Sequence, residues 1–385
     1  MTAVLPGATI GILGGGQLGR MTALAARELG YRVHVLDPDP ACAASPVVER
    51  VIAAPFDDAD AAAELARGAD VVTLEIEKIA GAALAAAARH APLRPAAEVL
   101  RIVRDRATQK EWLAARGFPL GDFRVARDAD ALVAASAALG DDCFAKVTFG
   151  GYDGRGQVRI SSRADARPAW AELGGQACIV ERAVPLAAEL SVMVARRPAG
   201  ELAVYPPALN HAADRVLDWS VIPAPVEPSV AHEAERIGRE LAAALDLEGL
   251  LAVELFLDTN GRLLVNELAP RPHNTFHHTQ AACVTSQFEQ LVRAVCDLPL
   301  GATDVLRPSA CANLLGDLWA NGTPGFEGAL AIPGVQIHLY GKGEGRPGRK
   351  MGHVNASAAT TDDAVARVLG ARDALLGAAR GAARG

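Results

Sequence analysis

Apolar positions in the first hundred residues gather into short unbroken runs, alternating with segments of helical period. Residues 8–13 read as a buried strand. Arg20–Leu29 follows as a helix ended by Gly30, and Tyr31–Leu36 as a second strand closing on Asp37-Pro38. A third strand–helix unit covers Val51–Arg67, and Val71–Leu74 is a further strand. Apolar strands alternating with helices predict a parallel α/β domain over residues 1–100. From about Arg101 the pattern changes. A helix over Arg101–Ala115 leads into a strand-rich region, with strands at Cys143–Val147, 177–181 and 189–196 and helices at 230–245 and 286–296. Residues 101–307 are therefore expected to form a second domain, of α+β type. Residues 308–385 are expected to form a small third one, with short strands and an Ala/Gly/Arg tail that frays. No internal repeat is evident.

Composition narrows the class. At 385 residues the chain has room for about two to three domains. Half of it is hydrophobic, yet no apolar run approaches the roughly eighteen residues that span a membrane. Ile10–Leu13 runs straight into glycines, unlike the basic-then-apolar start of a secretion signal. Six cysteines without CxxC spacing predict neither a zinc site nor a disulfide framework, and a cytoplasmic location is expected. A net charge of −7 argues against nucleic-acid binding. The chain holds 33 arginines and five lysines. In so Arg-biased a chain, a lysine marks a place where a compact ammonium is wanted. Lys110, Lys146, Lys342 and Lys350 fall in segments singled out on other grounds; Lys78 is less clear.

The most informative chemistry lies between Leu250 and Thr279. Two strand-like runs flank Asp258-Thr259-Asn260-Gly261, whose Asn-Gly is a turn signal. Each run carries one carboxylate in apolar surroundings, Glu254 and Glu267. Such groups are neutralised, paired, or holding a cation. A register in which paired residue numbers sum to an odd value near 519–521 puts both on one face, and a one-residue slip separates them. Two carboxylates on one sheet face suit Mg²⁺, with Mn²⁺ as a substitute, the remaining ligands being waters and substrate phosphates. The competing reading is two charges on a solvated face. Arg271, His273, Asn274, His277 and His278 crowd in directly after Pro270.

Two glycine loops and one basic segment complete the inventory. Gly14-x-Gly16-x-x-Gly19, with Asp37 ending the next strand, satisfies the dinucleotide-binding fingerprint. Taken alone it predicts an NAD-dependent oxidoreductase, although glycines at a helix N-terminus serve any phosphate. Gly150–Gln157 lies between two strands and lacks the Walker A pattern. It suits a lid over phosphates, with Lys146 four residues upstream. Gly341–His353 carries Lys342, Arg346, Arg349 and Lys350 in a loop shaped by glycines and a proline, as an anion pocket would be. Two phosphate loops and a carboxylate pair fit an enzyme using Mg-ATP better than a dehydrogenase.

Together these motifs resemble the N5-carboxyaminoimidazole ribonucleotide synthases, an ATP-grasp family of purine biosynthesis. The resemblance is carried by residues 11–21, 36–44, 150–157, 251–274, 285–290 and 340–353. It implies a Rossmann-like pre-ATP-grasp domain, a two-lobed ATP-grasp domain, a small C-terminal domain and a homodimer. It implies that Arg106, Lys146, Gly151, Tyr152, Asp153, Gly154, Arg155, Gly156, Gln157 and Glu189 hold ATP. Glu181, Arg182, Ala183 and Val184 would form the adenine hinge. Glu254 and Glu267 would ligate Mg²⁺ with Asn266 beside them, which requires an irregular strand, because neighbours on a regular strand face opposite ways. Gly16, Gln17, Leu18, Glu75, Tyr152, Arg271, His273 and Asn274 would hold the ribonucleotide, and Lys342, Arg349 and Lys350 its phosphate. The implied reaction joins bicarbonate to 5-aminoimidazole ribonucleotide through carboxyphosphate, with Arg271 and Lys342 in the reacting site. Asp153 would steer the proton of the amine.

The chain departs from the family pattern in several places. Asn274-Thr275-Phe276-His277 puts a phenylalanine where the family has glycine, and a ring there is expected to crowd the ribonucleotide. Ala212 stands where a histidine is common, with His211 as a substitute in the ATP site. Lys78 replaces an asparagine, and Val147-Thr148 precedes the glycine loop where Thr-x-Arg is common. Three other readings compete: a formate-dependent glycinamide ribonucleotide transformylase, a dinucleotide-binding oxidoreductase, and a silent nucleotide-binding relative.

Overall fold

The computed structural model describes residues 2–140, 142–151, 156–213, 216–320 and 322–382, with side chains through Leu376. The N-terminal strands are β1 (Thr9–Leu13), β2 (Arg32–Asp37), β3 (Arg50–Ala53) and β4 (Val71–Leu74). They pair in parallel in the order β3-β2-β1-β4. Thr9–Leu13 and Val71–Leu74 are buried throughout, as strands covered by helices on both faces must be. The first helix, Gln17–Glu28, starts three residues before the polar-to-apolar pattern predicts, directly on the glycine loop.

The expected single helix over Arg101–Ala115 is two, Ala97–Val103 and Arg106–Ala115. Asp105 is the reason for the break. Its backbone is extended and its carboxylate accepts from the Thr108 N–H, which starts a new helix at Arg106.

The next strands, β5 (Phe123–Ala126), β6 (Cys143–Val147), β7 (Gln157–Ile160) and β8 (Cys178–Arg182), form an antiparallel sheet in the order β5-β8-β6-β7. The glycine loop joins β6 to β7, and Lys146 pairs with Gln157 at its base. Tyr152, Asp153, Gly154 and Arg155 lie outside the described residues.

The remaining strands are β9 (Leu186–Arg196), β10 (Leu202–Ala213), β11 (Val216–Ile222), β12 (Gly249–Asp258), β13 (Leu263–Ala269), β14 (Ser309–Leu315), β15 (Val335–Leu339) and β16 (Lys350–Ser357). They join one antiparallel sheet in the order β13-β12-β9-β10-β11-β14-β16-β15. The C-terminal strands thus extend the sheet that carries the carboxylate hairpin, and Lys350 at the head of β16 is tied to it by main-chain hydrogen bonds. The helix Thr361–Ala382 packs Ala364, Val368, Ala371 and Leu375 against this end of the sheet. The tail expected to fray continues that helix through Ala382.

Candidate active site

Glu254 and Glu267 are direct cross-strand partners in the β12–β13 ladder. Near the turn, Leu257 pairs with Leu263 and Leu255 with Val265, a register summing to 520. Beyond it Glu254 pairs with Glu267, summing to 521. The change of one is a β-bulge at Asn266, and it makes the irregularity that shared duty requires. The Asn266 amide Nδ2 donates to Glu254 Oε2 at 3.1 Å, so all three side chains gather on one side. Glu189 on β9 pairs with Phe256 and brings a third carboxylate nearby. Burial, then the Glu267 and Glu189 charges, push the Glu254 carboxyl up to about 7.

β13 is the edge strand of its sheet, and the helix Arg106–Ala115 supplies partners to its outward-facing main-chain groups on either side of the bulge. Lys110 Nζ donates to the Val265 carbonyl at 3.0 Å, and Gln109 Oε1 accepts from the Leu268 N–H at 3.2 Å. Lys110 also pairs with Glu181 Oε1 at 2.8 Å, while Lys146 takes Glu181 Oε2 at 2.7 Å. Burial pushes the Glu181 carboxyl up, but Lys146 and Lys110 outweigh it and hold the group at about 2. Arg106 reaches the Val147 and Gly151 carbonyls and Glu267 Oε2, each at 3.3 Å.

At the other end, the loop Gly14–Gly19 wraps the Glu75 side chain. Burial pushes the pKa of its carboxyl up, opposed by the Gly19 and Gly16 N–H groups that bond it. Glu75, at the end of β4, accepts from the Gly16 and Gly19 N–H groups at 2.8 Å each. Asp37 accepts from Gly15 N–H at 2.8 Å. A Cβ on Gly16 would lie 2.5 Å from Glu75 Oε1, and one on Gly19 would lie 2.6 Å from the Gly14 carbonyl. The glycines are therefore required by the protein's own carboxylate and chain crossing. The place a dinucleotide pyrophosphate takes in the oxidoreductase reading is filled, and Asp37, its ribose partner there, is spent.

Arg271 is held by Glu77 at 2.7 Å. Burial opposes its charge, and Glu77, Glu75 and Glu267 more than offset that. His273 Nε2 stands 3.5 Å from Glu254 Oε1. Burial, then Arg271 and Lys350, push its pKa down to about 3, so the ring is neutral. Lys342 Nζ donates to Gln17 Oε1 at 2.5 Å and to the Lys350 carbonyl at 2.9 Å, which ties the C-terminal strands to the first helix.

All of this faces one cavity of about 1150 Å³. Arg106, Lys146, Gly151, Gln157, Glu181, Arg182, Val184, Glu189, Glu254, Asn266 and Glu267 line one end. Gly16, Gln17, Leu18, Glu75, Arg271, His273, Asn274, Lys342, Arg349 and Lys350 line the other. All five lysines of the chain border it, Lys78 included. Ala183 and Gly156 do not, and neither does His211, which is exposed and stacks on Trp219 at 4.9 Å beside a smaller cavity of about 290 Å³. Among the described residues no group of three or more His, Cys, Asp or Glu forms a protein-only metal cage.

The three parts of the chain each match a known domain. Residues 7–104 match the ribonucleotide synthetase preATP-grasp domain, 111–288 the ATP-grasp domain, and 309–367 the phosphoribosylaminoimidazole carboxylase C-terminal domain. The N5-carboxyaminoimidazole ribonucleotide synthase of Brucella melitensis is 41% identical over 355 residues, 92% of this chain and 97% of that protein. The chain belongs to the N5-carboxyaminoimidazole ribonucleotide synthase family. An ADP complex of an N5-carboxyaminoimidazole ribonucleotide synthetase shares the fold with a TM-score of 0.90 at 41% identity, covering 96% of this chain and 98% of that one. The Aspergillus clavatus N5-carboxyaminoimidazole synthase in complex with ADP and 5-aminoimidazole ribonucleotide gives 0.89 at 31% identity, covering 96% and 98%.

Against that family background, Phe276 does not crowd the cavity. It is fully buried and packs on Tyr205 and His278, with ring centroids 6.1 and 5.5 Å away. The short turn Asn274–Phe276 sends the ring inward while Asn274 stays on the wall. Three residues that build the site were given no role from the sequence: Lys110, Glu77 and Gln287. Lysine scarcity pointed to the first and the matching segment 285–290 contains the third, but nothing in the local sequence says that Glu77 pairs with Arg271 or that Gln287 sits behind His273.

Proposed function

We propose that the chain carboxylates 5-aminoimidazole ribonucleotide to N5-carboxyaminoimidazole ribonucleotide in purine biosynthesis, with ATP and bicarbonate as co-substrates. The observation that carries this reading is the continuity of the cavity. A carboxylate pair with Lys146 and Arg106 at one end and the Lys342–Lys350 cations at the other open into the same space. An ATP molecule and a ribonucleotide phosphate thereby reach one reaction zone.

The residues present fit a hard divalent cation. Glu254, Glu267 and the Asn266 amide offer oxygens, and burial with the Glu267 and Glu189 charges outweighs the nearby Lys146 and pushes the Glu254 carboxyl up to about 7. Glu254 and Glu267 would hold Mg²⁺, which when bound offsets charge on the transferring phosphoryl group. Arg106 and Lys146 place cations beside the same oxygens, and Glu181, Arg182 and Val184 line the adenine end.

Bicarbonate oxygen attacks the γ-phosphorus, and the bond to ADP breaks, giving carboxyphosphate. This releases phosphate and CO₂ within the cavity, and the 5-amino nitrogen bonds to carbon, losing one proton. Arg271, held by Glu77, faces the zone where the carboxylate forms. Lys342, Arg349 and Lys350 take the ribonucleotide phosphate. Asp153, outside the described residues, would steer the amine proton in this reading. A homodimer and a cytoplasmic location accompany this reading on the strength of the family resemblance. No helix among the described residues is long and apolar enough to cross a membrane.

Phosphate release from Mg-ATP tests the reading. Strong stimulation by 5-aminoimidazole ribonucleotide with bicarbonate is expected. Stimulation by formate and glycinamide ribonucleotide instead would replace it, and ATP binding without any release would mark a silent relative.

A further inference from the structure

Behind the ribonucleotide end, three side chains form a hydrogen-bonded row with one consistent placement of its hydrogens. Gln287 is fully buried. One of its side-chain atoms lies 2.8 Å from the His273 N–H, which only donates, so that atom is the carbonyl oxygen. The other atom, Nε2, then carries two hydrogens. One goes to the His273 carbonyl at 3.0 Å and the other to His277 Nδ1 at 3.1 Å. A ring nitrogen that accepts is unprotonated, so the neutral His277 ring holds its hydrogen on Nε2. Burial, then His273 and Lys350, keep the His277 pKa well below 6.5, and the ring is neutral near pH 7.

His277 Nε2 lies 3.0 Å from Asn274 Oδ1 and donates to it. The ring is not free to turn. His353 stacks on it at 4.3 Å and Phe288 at 5.8 Å, and Asn355 Nδ2 donates to the His277 carbonyl at 3.0 Å.

We infer that Gln287 and His277 fix Asn274 as a hydrogen-bond donor towards the cavity, selecting a ligand atom that accepts. Asn274 lines the wall, and with Oδ1 committed to His277 the end left for a ligand is Nδ2. The group it meets is a phosphate or sugar oxygen, or an unprotonated ring nitrogen. Resting on the function proposed above, this orients the ribonucleotide. An acceptor atom faces Asn274, and the 5-amino group, a donor, is turned elsewhere. Gln287 and His277 act through Asn274 and are positioning residues. The same hydrogen-bond logic makes a site built to donate reject a ligand that also donates.

The test uses the full-length protein labelled with ¹⁵N-histidine, whose ring nitrogens report the tautomer by NMR, together with calorimetric titration by 5-aminoimidazole ribonucleotide. His277 is expected as the Nε2–H tautomer. Gln287→Met is expected to convert it to a tautomer mixture and to weaken ribonucleotide binding. Asn274→Asp keeps the acceptor for His277 but removes the donor, and Asn274→Leu removes the donor without adding charge. Each is expected to weaken ribonucleotide binding at least about tenfold, with ATP binding unchanged. An Nδ1–H tautomer in the parent, or parent-like ribonucleotide binding by either Asn274 variant, overturns the inference. A parent with the Nε2–H tautomer that binds ATP but no ribonucleotide defeats the proposed function while supporting the row itself. Should Gln287→Met fail to fold, the parent spectrum and the Asn274 variants decide the matter.

Discussion

Glu254 and Glu267 face each other across β12 and β13 only because Asn266 is an extra residue in the second strand. Had the register near the turn continued unbroken, Glu254 would oppose Asn266 and Glu267 would point to the other side of the sheet. The carboxylate pair is thus a product of the bulge. The bulge in turn is held by Lys110 and Gln109, which satisfy the main-chain groups at Val265 and Leu268.

Removing either carboxylate is expected to abolish the effect of divalent ions. In the parent, Mg²⁺ added with ATP raises the melting temperature above that with ATP and a chelator. In Glu254→Gln and Glu267→Gln the two melting curves coincide, and phosphate release falls at least about a hundredfold. A variant that keeps both the ion-dependent shift and the turnover refutes the assignment.

The Lys110–Glu181–Lys146 cluster sets a pH dependence whose sign follows from Glu181. Its carboxyl is held at about 2, against 4.5 ordinarily. A depressed carboxyl contributes stability that is present above about pH 4.5 and is lost as pH falls towards 2. Lys110→Met leaves Glu181 with one lysine and raises its pKa towards 4.5, so the acid-dependent loss becomes smaller and is complete at higher pH. The substitution is expected to cost about 3–5 kcal/mol at neutral pH, as breaking a buried ion cluster does. Urea denaturation between pH 3 and 7 measures both.

The glycine loop is predicted to be structural. Gly19→Ala places a Cβ 2.6 Å from the Gly14 carbonyl, where only backbone movement relieves the clash. A loss of about 1–3 kcal/mol is expected in chemical denaturation. NADH is expected to leave the melting temperature of the parent unchanged, since Glu75 fills the pyrophosphate position. A dose-dependent shift with NADH would reopen the oxidoreductase reading.

Phe276 belongs to the core. Phe276→Ala is expected to cost about 3–5 kcal/mol by opening a cavity against Tyr205. The KM for the ribonucleotide is expected to stay within about twofold of the parent, as for a side chain outside the site. A lower KM would show that the ring does crowd the ligand.

Much of the site was legible because its chemistry is local. The Asn-Gly turn between two apolar runs located the hairpin, and the carboxylates stood out because charges are costly in such runs. The scarcity of lysine in an Arg-rich chain was a second signal, and every lysine borders the cavity. The fingerprint Gly14-x-Gly16-x-x-Gly19 misdirected in one respect. It encodes a tight strand-to-helix turn, and whether a cofactor or the chain's own Glu75 fills that turn is invisible in the motif.

The sequence by itself determined most element types, the hairpin, the family and many of the charged residues brought to the cleft. These follow from periodicity, turn chemistry and motif spacing, which act over a few residues. Tertiary structure alone decided what those residues do to one another. It chose the Asn266 bulge, set Glu75 on the glycine loop, turned Phe276 into the core, stacked His211 on Trp219, and ran β14–β16 into the hairpin's sheet. Each depends on contacts between residues far apart in the chain, where packing and hydrogen-bond satisfaction select among arrangements that local preferences leave equal.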